Sequence, residues 1–187
     1  MIYSWKKIIK NSIPILTIAV LVEIFAGSIL QGNYNLIIIF PIFLISIPVI
    51  NSVGGNIGSV LGARLASGLH VGYVKANLKD KRMQENLFTA IILGLITYTI
   101  LAIIIYYGAV FANLSNNMNI ITFVLIFVLT GFLLICTVAI SSILSAFISF
   151  KRGYDPDDMV APVVTTVGDF MGILFLILMT NIFGVGI

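Results

Sequence analysis

Seven acidic residues occur in the 187-residue chain, and two of them, Glu23 and Asp169, lie near the middle of long apolar runs. A carboxylate at the centre of a bilayer costs at least ~2.5–3.5 kcal/mol on insertion scales, so it faces a protein interior and marks an ion or proton path. No Lys or Arg falls at comparable depth in another run, so a transported cation is one candidate countercharge, and a protonated Asp169 bonded to Thr165 or a neighbouring helix is the alternative. Asp169 has the richer surroundings. At helical spacing Pro162, Thr165 or Thr166, Asp169 and Gly172 share one face, joining hydroxyl and carboxylate oxygens to residues small enough for close helix approach. Glu23 shares its face with Ala19, Ala26 and Gly27, a surface suited to helix contact. It fits a second cation ligand, a coupling-ion or proton site, or a hydrogen-bonded acid.

A third set of oxygens lies in the run from Asn51 to Arg64. Gly54, Gly58, Gly62 and Ala66 recur every four residues and make a small-residue packing ridge. With Pro41 and Pro48 upstream, the Gly54-Gly55 pair predicts a broken helix, whose freed carbonyls beside the Asn51 and Asn56 amides would suit a hard cation. Inter-helix hydrogen bonding accounts for the same asparagines. The candidate cation ligands are therefore Asp169, Thr165, Thr166, Glu23, Asn51 and Asn56, with Gly54, Gly55, Gly58 and Gly62 as packing residues. Thr137, Ser141, Ser145 and Ser149 form a hydroxyl stripe that reads as helix-packing glue. Cys136 reads as a small packing residue, and a lone His70 makes no metal centre. Asp155, Asp157 and Asp158 read as helix N-terminal compensation, with a possible second effect of concentrating cations at a pathway mouth. A nucleophile–base pair, a phosphate loop, HExxH and CxxC are all absent, so neither enzyme activity, nor a cofactor, nor a nucleic-acid partner is expected.

The elements that must position these residues follow from composition. The chain is 60% hydrophobic and 9% charged, against about 25% charged in a soluble domain. The bilayer is the solvent that fits, and about 20 apolar residues cross it. Five segments qualify: 12–30, 36–66, 87–108, 120–150 and 162–183. The second and fourth are too long for an upright helix and must tilt, bend or project. All ten Lys and Arg fall in three places: residues 6–10, 64–82 and 151–152. Five crossings put these on one face, which the positive-inside rule makes cytoplasmic, with the N-terminus inside. A bias this complete also requires any second copy to insert in parallel. The expected fold is an all-α integral membrane protein of five transmembrane helices, with residues 1–187 as a single domain.

Two motifs carry a family resemblance. The stretch Asp155-Pro156-Asp157-Asp158-Met159-Val160-Ala161-Pro162-Val163-Val164-Thr165-Thr166-Val167-Gly168-Asp169 resembles the start of the last helix in MgtE-type magnesium transporters, and Gly54-Gly55-Asn56 resembles that family's GGN element. The stretch from Ala63 to Gly72 is closer to the animal solute-carrier relatives. The resemblance implies a five-helix transmembrane domain that pairs with a second copy, so a parallel homodimer is expected. It also implies that Asp169 lines a central pore and faces hydrated magnesium. It does not extend to the soluble N-terminal domain and paired nucleotide-binding modules of bacterial members, nor does it reach Glu23. The expected activity is divalent-cation transport in the plasma membrane. A proton- or sodium-coupled carrier of another small solute and a non-transporting assembly subunit are the alternatives.

Overall fold

The computed structural model describes residues 5–77, 79–115, 118–153 and 156–185. These form six helices: α1 (Trp5–Gly32), α2 (Tyr34–Ile39), α3 (Ile42–His70), α4 (Lys81–Phe111), α5 (Ile120–Arg152) and α6 (Pro156–Ile182). All but α2 are long and apolar enough to cross a membrane, so the fold is an all-α, five-span integral membrane one. At 1.5 Å per residue, α5 with its 33 residues is ~50 Å long and α3 with its 29 is ~44 Å long. Both exceed the ~30 Å hydrocarbon layer and must tilt or project beyond it. The basic residues fall at the start of α1, the end of α3, the start of α4 and the end of α5, which the alternation of the spans places on one face.

Two expectations for the second segment need correction. The chain breaks at Phe40–Pro41, not at Gly54-Gly55, because a proline disfavours helical backbone in the residue before it. Phe40 accordingly leaves the helix at φ −130°, ψ 81°. From Ile42 onward α3 runs unbroken through both glycines to His70. No unwound carbonyls are therefore available beside Asn51 or Asn56.

Packing explains why the glycines leave the helix intact. Helices α3, α5 and α6 pack mutually, α4 lies on α5 and α3, and α1 rests mainly against α6. A Cβ on Gly54 would sit 2.6 Å from the Leu134 side chain on α5, and one on Gly58 would sit 2.9 Å from Val138 on α5 and 2.5 Å from Val164 on α6. One on Gly62 would collide with Val160 of α6. This ridge lets two helices settle against the α3 backbone at once. Backbone contact in turn exposes α3 carbonyls to donors from neighbouring helices. The Tyr98 hydroxyl of α4 donates to the Ile50 carbonyl at 2.8 Å, and Ser142 of α5 donates to the Gly58 carbonyl at 2.6 Å. Ser142 lies outside the expected hydroxyl stripe, of which Ser145 and Ser149 are buried and Thr137 bonds its own helix at Leu133.

Local chemistry sets the ends. Asp80 caps α4 by accepting from the Arg82 and Met83 amides at 3.1 and 3.2 Å. Asn119 caps α5 through the Ile121 amide at 2.8 Å, and Gly153 closes α5 in the left-handed region at φ 65°. Asp155 and the side chains of Asp157 and Asp158, expected to compensate the start of α6, lie outside the described residues.

Replacing Gly58 by Leu should destabilise the fold by about 1–3 kcal/mol, since both facing helices must shift. Gly108→Ala, where a Cβ meets nothing within 4 Å, should be neutral or mildly stabilising by helix propensity. Unfolding midpoints of the purified protein in detergent check this, and equal shifts for the two variants would refute the ridge.

Candidate functional site

Asp169 stands midway along α6, half-buried, with Thr165 and Thr166 one turn nearer the basic face. Two other helices bring side chains to it. Asn51 of α3 is only 8% exposed, and its Nδ2 donates to the Asp169 main-chain carbonyl at 3.2 Å. Glu23 of α1 faces Asp169, and the two carboxyls are close enough to interact electrostatically. Beside the pair, Phe25 and Phe170 stack with centroids 6.1 Å apart and planes at 22°, holding α1 against α6.

Small residues on α6 make the contact with α3 possible. A Cβ on Gly172 would collide with Asn51 Oδ1, and one on Gly168 would lie 3.5 Å from the Gly55 backbone. Gly55 itself leaves only enough room for Thr165, whose Cγ2 would be 3.3 Å from an added Cβ. Asn51 Oδ1 makes no hydrogen bond among the described residues, though it is buried. A buried amide oxygen with no donor costs about 1–3 kcal/mol of desolvation, and it supplies an acceptor within one turn of Asp169.

The hydroxyls are arranged as acceptors too. Thr165 Oγ1 donates to the Ala161 carbonyl at 2.9 Å, and Thr166 Oγ1 donates to the Pro162 carbonyl at 2.8 Å. Their protons are spent within α6, so their lone pairs are what remains for a ligand. Among the described residues, the ion pair Lys81–Glu85, at 4.0 Å on the surface, is the only one, and no basic side chain reaches Glu23 or Asp169. Two carboxyls facing one another away from any basic group are balanced either by a proton held on one of them or by a bound cation.

Of the six residues expected to ligate a cation, the fold gathers Asp169, Glu23 and Asn51 and keeps Thr165 and Thr166 on the adjacent turn. Asn56 stands apart from them. It lies on an exposed face of α3 and donates to Ser52 Oγ at 3.3 Å. Ser52, Asn56, Ala63 and Ser67 share that face, and all four are exposed. The serines on this face escaped the sequence reading, although the four-residue step from Ser52 to Asn56 was a visible signal. His70 is turned to its own helix, with Nδ1 2.8 Å from the Ala66 carbonyl and its ring edge-on to Phe150 at 5.2 Å. Cys136 is half-buried on α5. Among the described residues no three His, Cys, Asp or Glu side chains converge.

Comparison with known proteins places the chain in a family. A family model described as MgtE, divalent cation transporter, matches residues 47–179, which covers most of the chain from α3 into α6. A search of curated proteins finds no match. The matched span contains Asn51, Gly54-Gly55-Asn56, Thr165, Thr166 and Asp169, but not Glu23. The chain belongs to the MgtE family of divalent cation transporters.

Proposed function

We propose that the protein carries hydrated divalent cations, magnesium foremost, across the plasma membrane as a parallel homodimer whose path runs past Asp169. The observation that carries this reading is the meeting of Asp169, Glu23 and Asn51 midway through the membrane with no basic partner. Magnesium dehydrates reluctantly, retains several waters and uses only one or two carboxylates. Its waters present protons outward, which is the complement of a surface made of carboxylates and threonine lone pairs. Cobalt, manganese, nickel or zinc would bind the same oxygens, since affinity order alone does not select magnesium.

The homodimer is supported by the exposed face of α3. Ser52, Asn56 and Ser67 cannot be left against lipid at low cost, because polar side chains in spanning helices pack on protein or line water. That face adjoins α6, so a second copy docking there would place two Asp169 side chains about one aqueous path. The facing of the Glu23 and Asp169 carboxyls favours one other reading, a carrier in which this pair relays a coupling proton or sodium ion.

Magnesium flux into proteoliposomes separates these possibilities. Asp169→Asn keeps volume and hydrogen bonding and removes the charge. It should cut flux about tenfold or more, the scale of a lost charge-assisted contact. Glu23→Gln, on an exposed side chain not held by Asn51, should cut it less. Equal flux in wild type and Asp169→Asn would refute the site. Absence of divalent flux, with solute uptake driven by a proton or sodium gradient, would favour the coupled carrier.

The dimer face is tested by a flexible bis-maleimide in a Cys136→Ala background. Ser67→Cys should cross-link two copies, and Phe88→Cys, on the exposed side of α4, should not. The reverse pattern would put the interface elsewhere.

A further inference from the structure

A groove of about 180 Å³ runs between α3 and α4. Its deep part is walled by Ile57, Val60, Leu61 and Leu93, and its shallow end holds Arg64, Asn86 and Thr89. Arg64 lies ~9 Å along α3 from the helix end at His70, and Thr89 ~12 Å along α4 from its start at Lys81. The polar end is therefore nearer the basic face and the apolar end nearer the bilayer centre.

The hydrogen-bonding state of the polar end decides what fits it. Asn86 Nδ2 already donates to the Arg82 carbonyl at 2.8 Å, and Thr89 Oγ1 to the Glu85 carbonyl at 2.7 Å. At the deep end the Asn56 amide donates to Ser52. Arg64, by contrast, is exposed and has no ion pair or hydrogen bond among the described residues. Its guanidinium holds five donors in a planar fork that matches a phosphate. The acids nearest in sequence are already engaged, since Asp80 caps α4 and Glu85 pairs with Lys81. Lys75, Lys79, Lys81 and Arg82 add positive charge on the same face.

We propose that this groove binds one anionic phospholipid per protomer, with its phosphate on Arg64 and an acyl chain along Ile57, Val60 and Leu93. Charge complementarity selects the headgroup, and the apolar length beneath it selects a lipid over a free phosphate. Basic pockets between spanning helices take anionic headgroups by this combination. The inference is independent of whether Asp169 carries the transported ion.

Native mass spectrometry of the full chain tests it, titrating phosphatidylglycerol and phosphatidylcholine of identical acyl chains. Wild type should retain one phosphatidylglycerol per protomer in preference to phosphatidylcholine. Arg64→Gln should lose that preference by about fivefold, the scale of one cation at the membrane surface, and Arg64→Lys should keep most of it. Leu93→Trp, a change at an exposed position that fills the groove, should weaken retention of both lipids. Equal retention of the two lipids by wild type would overturn the proposal. So would an unchanged preference in Arg64→Gln, or no lipid retained because a second copy covers the groove.

Discussion

The near-contact of α3 with α6 is the constraint on which the rest of the molecule depends. Apolar side chains gain nothing by leaving lipid for one another, so spanning helices associate through close packing and inter-helix hydrogen bonds. Gly54, Gly58 and Gly62 supply the first by removing side chains where Leu134, Val138, Val164 and Val160 must lie. The second follows from it. Once the α3 backbone is within reach, Tyr98 and Ser142 bond its carbonyls, and Asn51 bonds the backbone of α6 at Asp169. Gly168 and Gly172 complete the fit from the α6 side. The packing that stabilises the bundle thus also fixes the backbone position of its central carboxylate.

That arrangement divides labour among the helices. Helix α3 holds Asp169 from the buried side, through an amide whose oxygen is left without a donor. Helix α1, resting mainly on α6 and pinned by the Phe25–Phe170 stack, delivers the second carboxyl from the exposed side. A rigid member and a lightly packed one therefore meet at a single charge. A hydrated ion asks for acceptors at water-bridged distance more than for a closed cage, and bridging waters are nearly as favourable as direct contacts. Two carboxyls with neutral oxygens on neighbouring turns are suited to that task, whereas a dehydrating site would need more ligands.

Much of this architecture is legible in the sequence because the bilayer restricts what a sequence can do. Span length, the grouping of Lys and Arg, and the depth of Glu23 and Asp169 all follow from a fixed hydrocarbon thickness and a high penalty for buried charge. The four-residue step of the glycines reads directly as a ridge, and α5 and α6 lie on it. The expected break at Gly54-Gly55 fails for the same reason: glycines that receive neighbouring helices are held helical by them, and the α3 carbonyls of Gly58 and Ile50 are bonded by Ser142 and Tyr98 without unwinding. The break at Phe40–Pro41 was signalled by a proline that the glycine pair overshadowed. Asn51 and Asn56 were grouped together, yet five residues turn them about 140° apart on a helix, so one faces Asp169 and the other the exposed side. The facing of Glu23 and Asp169 had no sequence signal, because periodicity gives the face of a helix and not its neighbour.

The account stands on Asp169 being where the ion sits. Manganese shares magnesium's preference for six oxygen ligands and scatters anomalously, so it can be located directly. Crystals of the full chain grown with manganese should show an anomalous peak at water-bridged or direct distance from the Asp169 carboxylate, and Asp169→Asn crystals should lack it. A peak that persists in Asp169→Asn, or that lies only at sites remote from α6, would contradict the account.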